Sequence, residues 1–309
     1  MASNYRNRSN KVKKSKGDIA FDTVNTIIML FIIVIVIYPV LNVIAISFSN
    51  AYHVAKADIT IFPKGITTES YGYILKDKQV WRGYFNSILY AAGFTVCNLL
   101  FTSLFAYPLA VKDFMGKKFF TIFLTITMFF GGGLIPGYLL IRNLNLIDNP
   151  LAIIIPGCVG AYNVFVFRTF FQNIPAELAE SAKMDGANDI TILFRIFLPL
   201  SKALLATFGL FAIVGMWNNW FSALIYLTDQ TKYPVQLVLR QYLYVLDVTN
   251  IQQRAGMGGG GLNPNILQQI SPKGVKMAMV VVTMFPIMMI YPFFQKYFVK
   301  GVMIGAVKG

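Results

Sequence analysis

The chain has 309 residues, of which 56% are hydrophobic and only 13% are charged. A soluble domain rarely carries so few charges beside so much apolar surface, and several apolar runs exceed the roughly 20 residues that a helix needs to cross a bilayer. The formal charge of +14 does not indicate a nucleic-acid partner, because lysine and arginine cluster in the N-terminal tail and at the ends of the apolar runs. In these positions they set topology and contact anionic membrane lipid. We therefore predict an all-α polytopic membrane protein.

The chain divides into a basic tail, residues 1–18, and a single transmembrane domain, residues 19–309. The predicted spans cover about residues 21–48, 86–111, 119–141, 151–171, 200–227 and 275–298. Six Lys and Arg side chains lie in the tail, three at 112–118 and four at 168–202, whereas the short turn 142–149 has one. Six spans place both termini on one side, and positive charge marks the cytoplasmic side. We predict a prokaryotic plasma-membrane protein with both termini in the cytoplasm.

The third predicted span contains a cluster of residues that disfavour helices. Gly131 to Gly133 form a glycine triplet, and Pro136-Gly137 follows it. Glycine is flexible and proline removes a backbone donor, so we do not expect an uninterrupted helix. Two interpretations stay open. The small residues let neighbouring helices pack closely, or they break the helix beside a transport pathway.

Side chains that carry out catalysis or bind metal are scarce. The chain has a single histidine, His53, in a polar loop, while Cys97 and Cys158 lie in apolar runs without metal-binding spacing. The predicted spans contain no histidine and essentially no carboxylate pair, so we expect neither an enzyme nor a metal site. The glycine-rich stretch 256–261 lacks the G-x-x-x-x-G-K-[ST] pattern of a P-loop, so the chain does not bind ATP through that motif.

Residues 174–199 are the longest charged and patterned insert between two apolar runs. Pro175 suits the first turn of a helix, where a missing N–H costs nothing. Gly186 suits a left-handed helix end because it has no Cβ, and Asn188 or Asp189 can cap a second helix. The sequence therefore predicts a helix, a glycine turn and a helix between the fourth and fifth spans.

This insert resembles the EAA loop of ABC importer permeases, whose pattern is E-A-A, three residues, G, nine residues and I-x-L-P. The match begins at residues 180–182, continues at Gly186 and ends at residues 196–199, with Ser181 in place of the first alanine. In that family the loop docks on a cytoplasmic ATPase, and the resemblance implies the same role here. The implied coupling residues are Glu180, Ser181, Ala182, Asp185, Gly186, Arg195, Ile196, Leu198 and Pro199.

Further fragments extend the resemblance over nearly the whole chain. They are residues 129–140 (FFGGGLIPGYLL), 168–175 (RTFFQNIP), 217–220 (WNNW), 233–237 (YPVQL) and 291–301 (YPFFQKYFVKG). In this order they resemble carbohydrate ABC permeases of the MalG type, LplC-like branch. The resemblance implies a six-helix type I importer permease fold with no cofactor of its own. It also implies a second permease, two cytoplasmic ATPases that bind ATP and Mg²⁺, and an extracellular solute-binding protein that contacts about residues 229–262.

Candidate pathway residues are aromatic and amide side chains within the spans. Sugars are bound by aromatic faces and polar hydrogen bonds, and polar residues inside a membrane usually face a cavity or the bundle interior. The candidates are Tyr162, Asn163, Trp217, Asn218, Asn219 and Trp220, for each of which packing between helices is an alternative role. No Arg or Lys lies clearly mid-span, which favours a neutral oligosaccharide, although Arg240 or Arg254 could bind an acidic one. A peptide or a phosphorylated small molecule is the alternative cargo.

Overall fold

The computed structural model describes residues 15–254 and 271–306, with side chains described up to residue 245 and from 271 to 293. Apart from an isolated β-bridge between Ser49 and Ile66, the regular structure of these residues is helical, as predicted. The helices are α1 (Lys16–Ser47), α2 (Ala51–Lys56), α3 (Glu69–Lys76), α4 (Lys78–Ala110), α5 (Lys117–Phe129), α6 (Leu134–Asn143), α7 (Leu151–Ile154), α8 (Ala161–Gln172), α9 (Ala176–Met184), α10 (Asp189–Ile192), α11 (Leu198–Leu200), α12 (Lys202–Trp217), α13 (Phe221–Tyr226), α14 (Val235–Arg254) and α15 (Pro272–Ala306). Most of the basic tail, the Arg254 side chain and the glycine-rich stretch 256–261 lie outside this described part.

Three of these helices are long and apolar enough to cross a membrane, and up to six spans result if each bent helix pair counts as one. The continuous helices are α1, α4 and the Pro272–Phe293 part of α15. The bent pairs are α5 with α6 at 116°, Leu151–Gly157 with α8 at 50°, and Asp189–Leu200 with α12 at 84°. The predicted fifth span, 200–227, is therefore not one helix, because α12 ends at Trp217 and α13 follows a short break.

The glycine triplet breaks the third span. Helix α5 ends at Phe129, Phe130 is extended, and Gly133 has φ +81° before α6 begins. A Cβ added at Gly131, Gly132 or Gly133 would meet no atom within 4 Å, so close packing inside this chain does not explain the triplet. Of the two interpretations, the structure supports the helix break.

Helix α4 is central to the bundle: it contacts α8, α12 and α14, and its Tyr84 hydroxyl donates to the Val282 carbonyl of α15. Near its C-terminal end the core is aromatic: Tyr107, Phe167, Phe171, Phe197 and Phe208 are buried there. Their rings meet edge to face with centroids 5.1–6.0 Å apart, and such pairs add about 0.5–1.5 kcal/mol each beyond their buried area. The 174–199 loop packs against this core, so we call this end of the bundle the EAA end and the opposite one the far end.

A buried amide stabilises the bend between α7 and α8. Asn98 on α4 is 4% exposed, and its Nδ2 donates to the carbonyl oxygen of Cys158 at 3.0 Å and of Gly157 at 3.4 Å. A broken helix leaves carbonyl groups without partners, which is costly where no water can reach them. Asn98 supplies the missing donor from a neighbouring helix.

Helix α1 leaves most of its surface uncovered by this chain. Its buried residues are the last three, Ala45 to Ser47, and its most apolar window contains no buried residue. Its partner within the chain is mainly α15. The remaining apolar surface of α1 is therefore left for lipid or for another protein.

Candidate functional site

The 174–199 loop begins with α9, which lies on the surface of the EAA end. None of its nine residues is buried. The helix ends in a Schellman motif, in which the Ala187 N–H donates to the Ala182 carbonyl at 2.9 Å and the Gly186 N–H to the Lys183 carbonyl at 3.0 Å. Gly186 has φ +81°, a left-handed conformation that glycine adopts without a Cβ penalty. The chain therefore reverses direction at Gly186.

The second half of the loop, Asp189–Leu200, is a helical run made of α10, a π-helical segment and α11. Ile192, Leu193 and Phe197 on this run are buried in the aromatic core. The run bends by 84° into α12 at Ser201, whose hydroxyl donates to the Phe197 carbonyl at 2.7 Å. The run is therefore buried on one side and joins α12 directly at Ser201.

The predicted coupling residues differ in exposure. The exposed ones are Glu180, Ser181, Asp185, Gly186, Arg195 and Pro199, and the half-buried ones that pack against the core are Ala182, Ile196 and Leu198. Met184 and Ile190 are also exposed, at 88% and 65%. Within the described residues, Glu180 and Arg195 take part in no ion pair. A surface that joins exposed apolar side chains to unpaired charges is typical of a protein-binding site.

Sequence analysis missed a connection between this loop and α4. The Tyr107 hydroxyl, in the last turn of α4, donates to Asp189 Oδ1 at 3.2 Å, and the same carboxylate pairs with Lys183 Nζ at 3.3 Å. The three side chains line a cleft of about 500 Å³ between the loop and the α4–α5 turn. A tyrosine in an apolar last turn is the only local signal, because its partner lies 82 residues further along the chain.

Among the predicted pathway residues, Trp217 is 2% exposed. Its Nε1–H donates to the Thr283 carbonyl at 3.2 Å, and its ring centroid lies 5.9 Å from that of Tyr84. Trp217 therefore holds α12 against α4 and α15 and offers no open face to a solute within this chain. For Trp217 these contacts fit packing between helices, the alternative role that the sequence left open for each candidate.

The next three residues form the break between α12 and α13. Asn218 is exposed and its Nδ2 donates to the Val214 carbonyl at 3.0 Å, while Asn219 Oδ1 accepts a backbone N–H of α13 at 3.2 Å. Asn219 thus bonds a backbone N–H that the start of α13 leaves free, whereas the Val214 carbonyl also accepts the Asn218 backbone N–H at 3.1 Å. Trp220 is half-buried, and the guanidinium carbon of Arg240 lies 3.4 Å from the centroid of its ring.

The remaining predicted pathway residues, Tyr162 and Asn163, lie on a different helix. They occupy the first turn of α8, directly after Gly160. Tyr162 is 62% exposed and Asn163 is half-buried. Within the described residues, no hydrogen bond or ring contact joins either of them to residues 217–220. Both stay predicted pathway residues.

A polar clasp at the far end joins the α6–α7 turn to the segment after α13. Asp148 accepts the backbone N–H groups of Thr228 and Asp229 at 3.0 and 2.9 Å, and Lys232 Nζ at 2.5 Å. The Lys232 ammonium has the largest effect on the pKa of Asp148, and the two backbone N–H groups add to it; together they hold this pKa well below its ordinary value. The carboxylate therefore stays ionised and the clasp stays closed at neutral pH.

The chain is similar to proteins of known role along almost its whole length. The family model described as binding-protein-dependent transport system inner membrane component matches residues 20–304. Protein LplC of Bacillus subtilis (strain 168) is 38% identical over 297 residues, which cover 96% of this chain and 97% of LplC. The polygalacturonan/rhamnogalacturonan transport system permease protein YtcP of the same strain is 36% identical and covers 91% of this chain and 96% of its own.

A solved structure shows the same fold. One chain in the crystal structure of a bacterial ABC transporter involved in the import of the acidic polysaccharide alginate superposes with a TM-score of 0.83 at 31% identity. The superposition covers 93% of this chain and 99% of that one. The fold of this chain is thus shared along almost its whole length with a chain of a known ABC transporter. This chain is a member of the family of binding-protein-dependent transport system inner membrane components, the transmembrane permeases of ABC importers.

Proposed function

We propose that this chain is one of two transmembrane permeases in an ATP-driven importer of oligosaccharides or complex glycans. Family membership over residues 20–304 is the observation that carries the proposal. The relative YtcP, named for polygalacturonan and rhamnogalacturonan, and the alginate importer favour a glycan over a peptide or a phosphorylated solute. The complex would contain a second permease, two ATPases that bind ATP and Mg²⁺, and an extracellular solute-binding protein.

In this proposal the EAA end lies in the cytoplasm. Three lysines, Lys112, Lys117 and Lys118, occur in or beside the α4–α5 turn, and Lys183 and Arg195 lie in the 174–199 loop. Such an excess of positive charge in short connections marks the cytoplasmic side. The far end, with the Asp148 clasp, then faces the solute-binding protein, and both termini are cytoplasmic.

The ATPase docks on the exposed surface of α9 and of the Asp189–Leu200 run. Met184 and Ile190 supply apolar contact, while Glu180 and Arg195 supply charges that have no partner in the described part of this chain. A docked ATPase changes the conformation of the permease only if it contacts the two states differently. Opening and closing of the ATPase dimer satisfies this condition, because it displaces the permease loop that is docked on it.

Helix α12 carries the displacement toward the far end. With 16 residues it is about 24 Å long, so a rotation of about 10° at the Ser201 bend moves its other end by about 4 Å. That end carries Asn218, Asn219 and Trp220. The rotation of α12 would therefore displace these three predicted pathway residues.

Single cysteines test the docking and the orientation together. In a chain without Cys97 and Cys158, we expect M184C to cross-link to an ATPase subunit and to react with an impermeant thiol reagent in inside-out vesicles only. The matched control is I66C, since Ile66 is 77% exposed and lies at the far end, beside Ser49 after α1. I66C should react in right-side-out vesicles only and form no ATPase cross-link. If M184C finds no ATPase in the assembled complex, the docking assignment fails.

Uptake tests the cargo. We expect proteoliposomes that hold the purified complex to accumulate a labelled oligosaccharide when ATP is inside and the solute-binding protein is outside. Omitting either one should abolish uptake. A complex that hydrolyses ATP and imports a peptide or a phosphorylated solute, but no oligosaccharide, would overturn the cargo class and leave the permease assignment intact.

A further inference from the structure

The contact between Arg240 and Trp220 brings a guanidinium to the break in the fifth span. Trp220 follows the end of α12, and α14 returns to it twenty residues later. With the guanidinium carbon 3.4 Å from the ring centroid, the cation lies over the indole face. A stacked guanidinium is held in one plane, while the N–H donors along its edge stay available.

Arg240 has no negative partner in the described residues. The ion pairs there join Asp58 to His53 and Lys64, and Lys183 and Lys232 to other aspartates. The Arg240 side chain is exposed, and a guanidinium stays charged at any pH that a protein experiences. A permanent cation that is held in place but unpaired is suited to an anion that comes from outside the chain.

Two amides lie beside this cation. Gln236 Nε2 donates to Asn218 Oδ1 at 3.4 Å, and Gln236 precedes Arg240 by one helical turn of α14. We call Asn218, Trp220, Gln236 and Arg240 the polar ledge. Asn218 and Arg240 are exposed, so the ledge is open on a side that the described helices do not cover. It offers an aromatic edge, amide donors and acceptors and a cation, and none of its members is acidic.

We propose that the polar ledge binds the carboxylate of an acidic sugar unit, so that the cargo is an oligosaccharide containing uronic acids. The guanidinium edge donates two parallel hydrogen bonds to the carboxylate, and the amides of Asn218 and Gln236 bond ring hydroxyls. The inference rests on the proposed function, which gives an oligosaccharide cargo, and adds that this cargo is negatively charged. It replaces the neutral sugar that the sequence favoured, because the cation lies on α14, outside the predicted spans.

The test combines substitution of one side chain, Arg240, with removal of one substrate group, the carboxylate. The complete importer is reconstituted in proteoliposomes with R240Q, R240K or wild-type permease. Uptake is measured for trimers of galacturonic acid and of mannuronic acid, and for the same trimers after chemical reduction of the carboxylates to neutral alcohols. The same solute-binding protein serves every arm, so its own preference cancels when variants are compared on one substrate. R82Q is the matched control, because Arg82 is another exposed arginine, near the start of α4.

We expect R240Q to lower kcat/KM for at least one acidic trimer by about 10- to 100-fold, the size of a lost hydrogen bond to a charged group. The neutral trimers should change by less than about twofold, since their amide contacts remain. R240K should fall between, because lysine keeps the charge without the planar fork, and R82Q should change neither. R240K also carries the test if R240Q fails to assemble with its partners.

Two outcomes overturn the inference and are distinguishable from failure of the proposed function. If R240Q lowers acidic and neutral uptake equally, Arg240 only packs on Trp220. If the wild-type importer carries neutral oligosaccharides and no acidic one, the ledge is not a carboxylate subsite. In both cases the importer still moves oligosaccharides. A wild-type complex that moves no oligosaccharide at all removes the proposed function as well.

Discussion

The glycine turn between α9 and α10 can be tested through backbone conformation alone. Gly186 has φ +81°, and a Cβ built there meets no atom within 4 Å, so a substitution adds strain without a collision. The left-handed conformation costs an ordinary residue about 1–2 kcal/mol, and β-branched valine lies at the upper end or above it. An energy of about 2 kcal/mol disfavours the native turn by about 30-fold relative to other loop conformations.

The assay is a series of three substitutions in the reconstituted importer. Of the three substituted residues, asparagine adopts the left-handed conformation most readily. Uptake, and the ATPase activity stimulated by the loaded binding protein, should therefore fall in the order G186N, G186A, G186V. G186N should lie near wild type. The matched control is G215V, since Gly215 on α12 also has open space at its Cβ but an ordinary helical φ. The amount of permease in the membrane should not change in any of these variants.

Either of two results would refute this reasoning. If G186N is as defective as G186V, the position requires the absence of any side chain, which means that a partner surface comes within contact distance of Gly186. If G186V transports and stimulates ATP hydrolysis like wild type, α9 and α10 do not form the docking surface.

Three further changes separate packing, attachment and pH dependence. Tyr107→Phe removes the donor to Asp189 and should weaken attachment of the loop by about 1 kcal/mol, seen as an approximately fivefold lower ratio of uptake to ATP hydrolysis; an unchanged ratio contradicts the tie. Trp217→Ala removes a buried indole and should lower the stability of the complex by about 3–5 kcal/mol, measured by thermal denaturation; lost uptake at full stability would instead indicate a pathway role. The pKa of Asp148 is lower in the folded chain than its ordinary value of 3.8. Its carboxylate therefore stabilises the clasp above pH 3.8, and this stabilisation is lost only as pH falls through the lowered pKa. Hydrogen-exchange protection beside Lys232 should therefore be equal at pH 7 and pH 4 after correction for intrinsic rates, and be lower in D148N at both; loss in wild type near pH 4 contradicts the assignment.

The loop geometry was predictable because its signals are local. Pro175 precedes α9, Gly186 takes the left-handed turn, and Asn188 Oδ1 accepts the Thr191 N–H at 2.8 Å to cap the second helical run. Each of these depends on residues within four positions. The glycine triplet at 131–133 broke the third span for the same reason, since the backbone preference is contained in the triplet itself.

The side-chain partners were not predictable, because they depend on which helices meet. Trp217 and Trp220 look equivalent in the W-N-N-W pattern, yet α12 ends between them. Trp217 continues the buried face of the helix, whereas Trp220 lies beyond it and meets Arg240 from α14. Likewise, the bond from Tyr107 to Asp189 joins elements 82 residues apart. No periodicity within one segment carries this information.

These long-range contacts also indicate which helices are held together. At the EAA end, Tyr107 ties the loop to α4; at the far end, the ring of Tyr84 on α4 packs against Trp217, and the Tyr90 hydroxyl donates to the Lys232 carbonyl at 2.9 Å. Helix α4 is thus tied to the 174–199 loop at one end and packs against the last residue of α12 at the other, and α12 contacts α4 in between. Packed interiors do not deform continuously. If the ATPase displaces the loop as proposed, we therefore expect α4 to move together with α12.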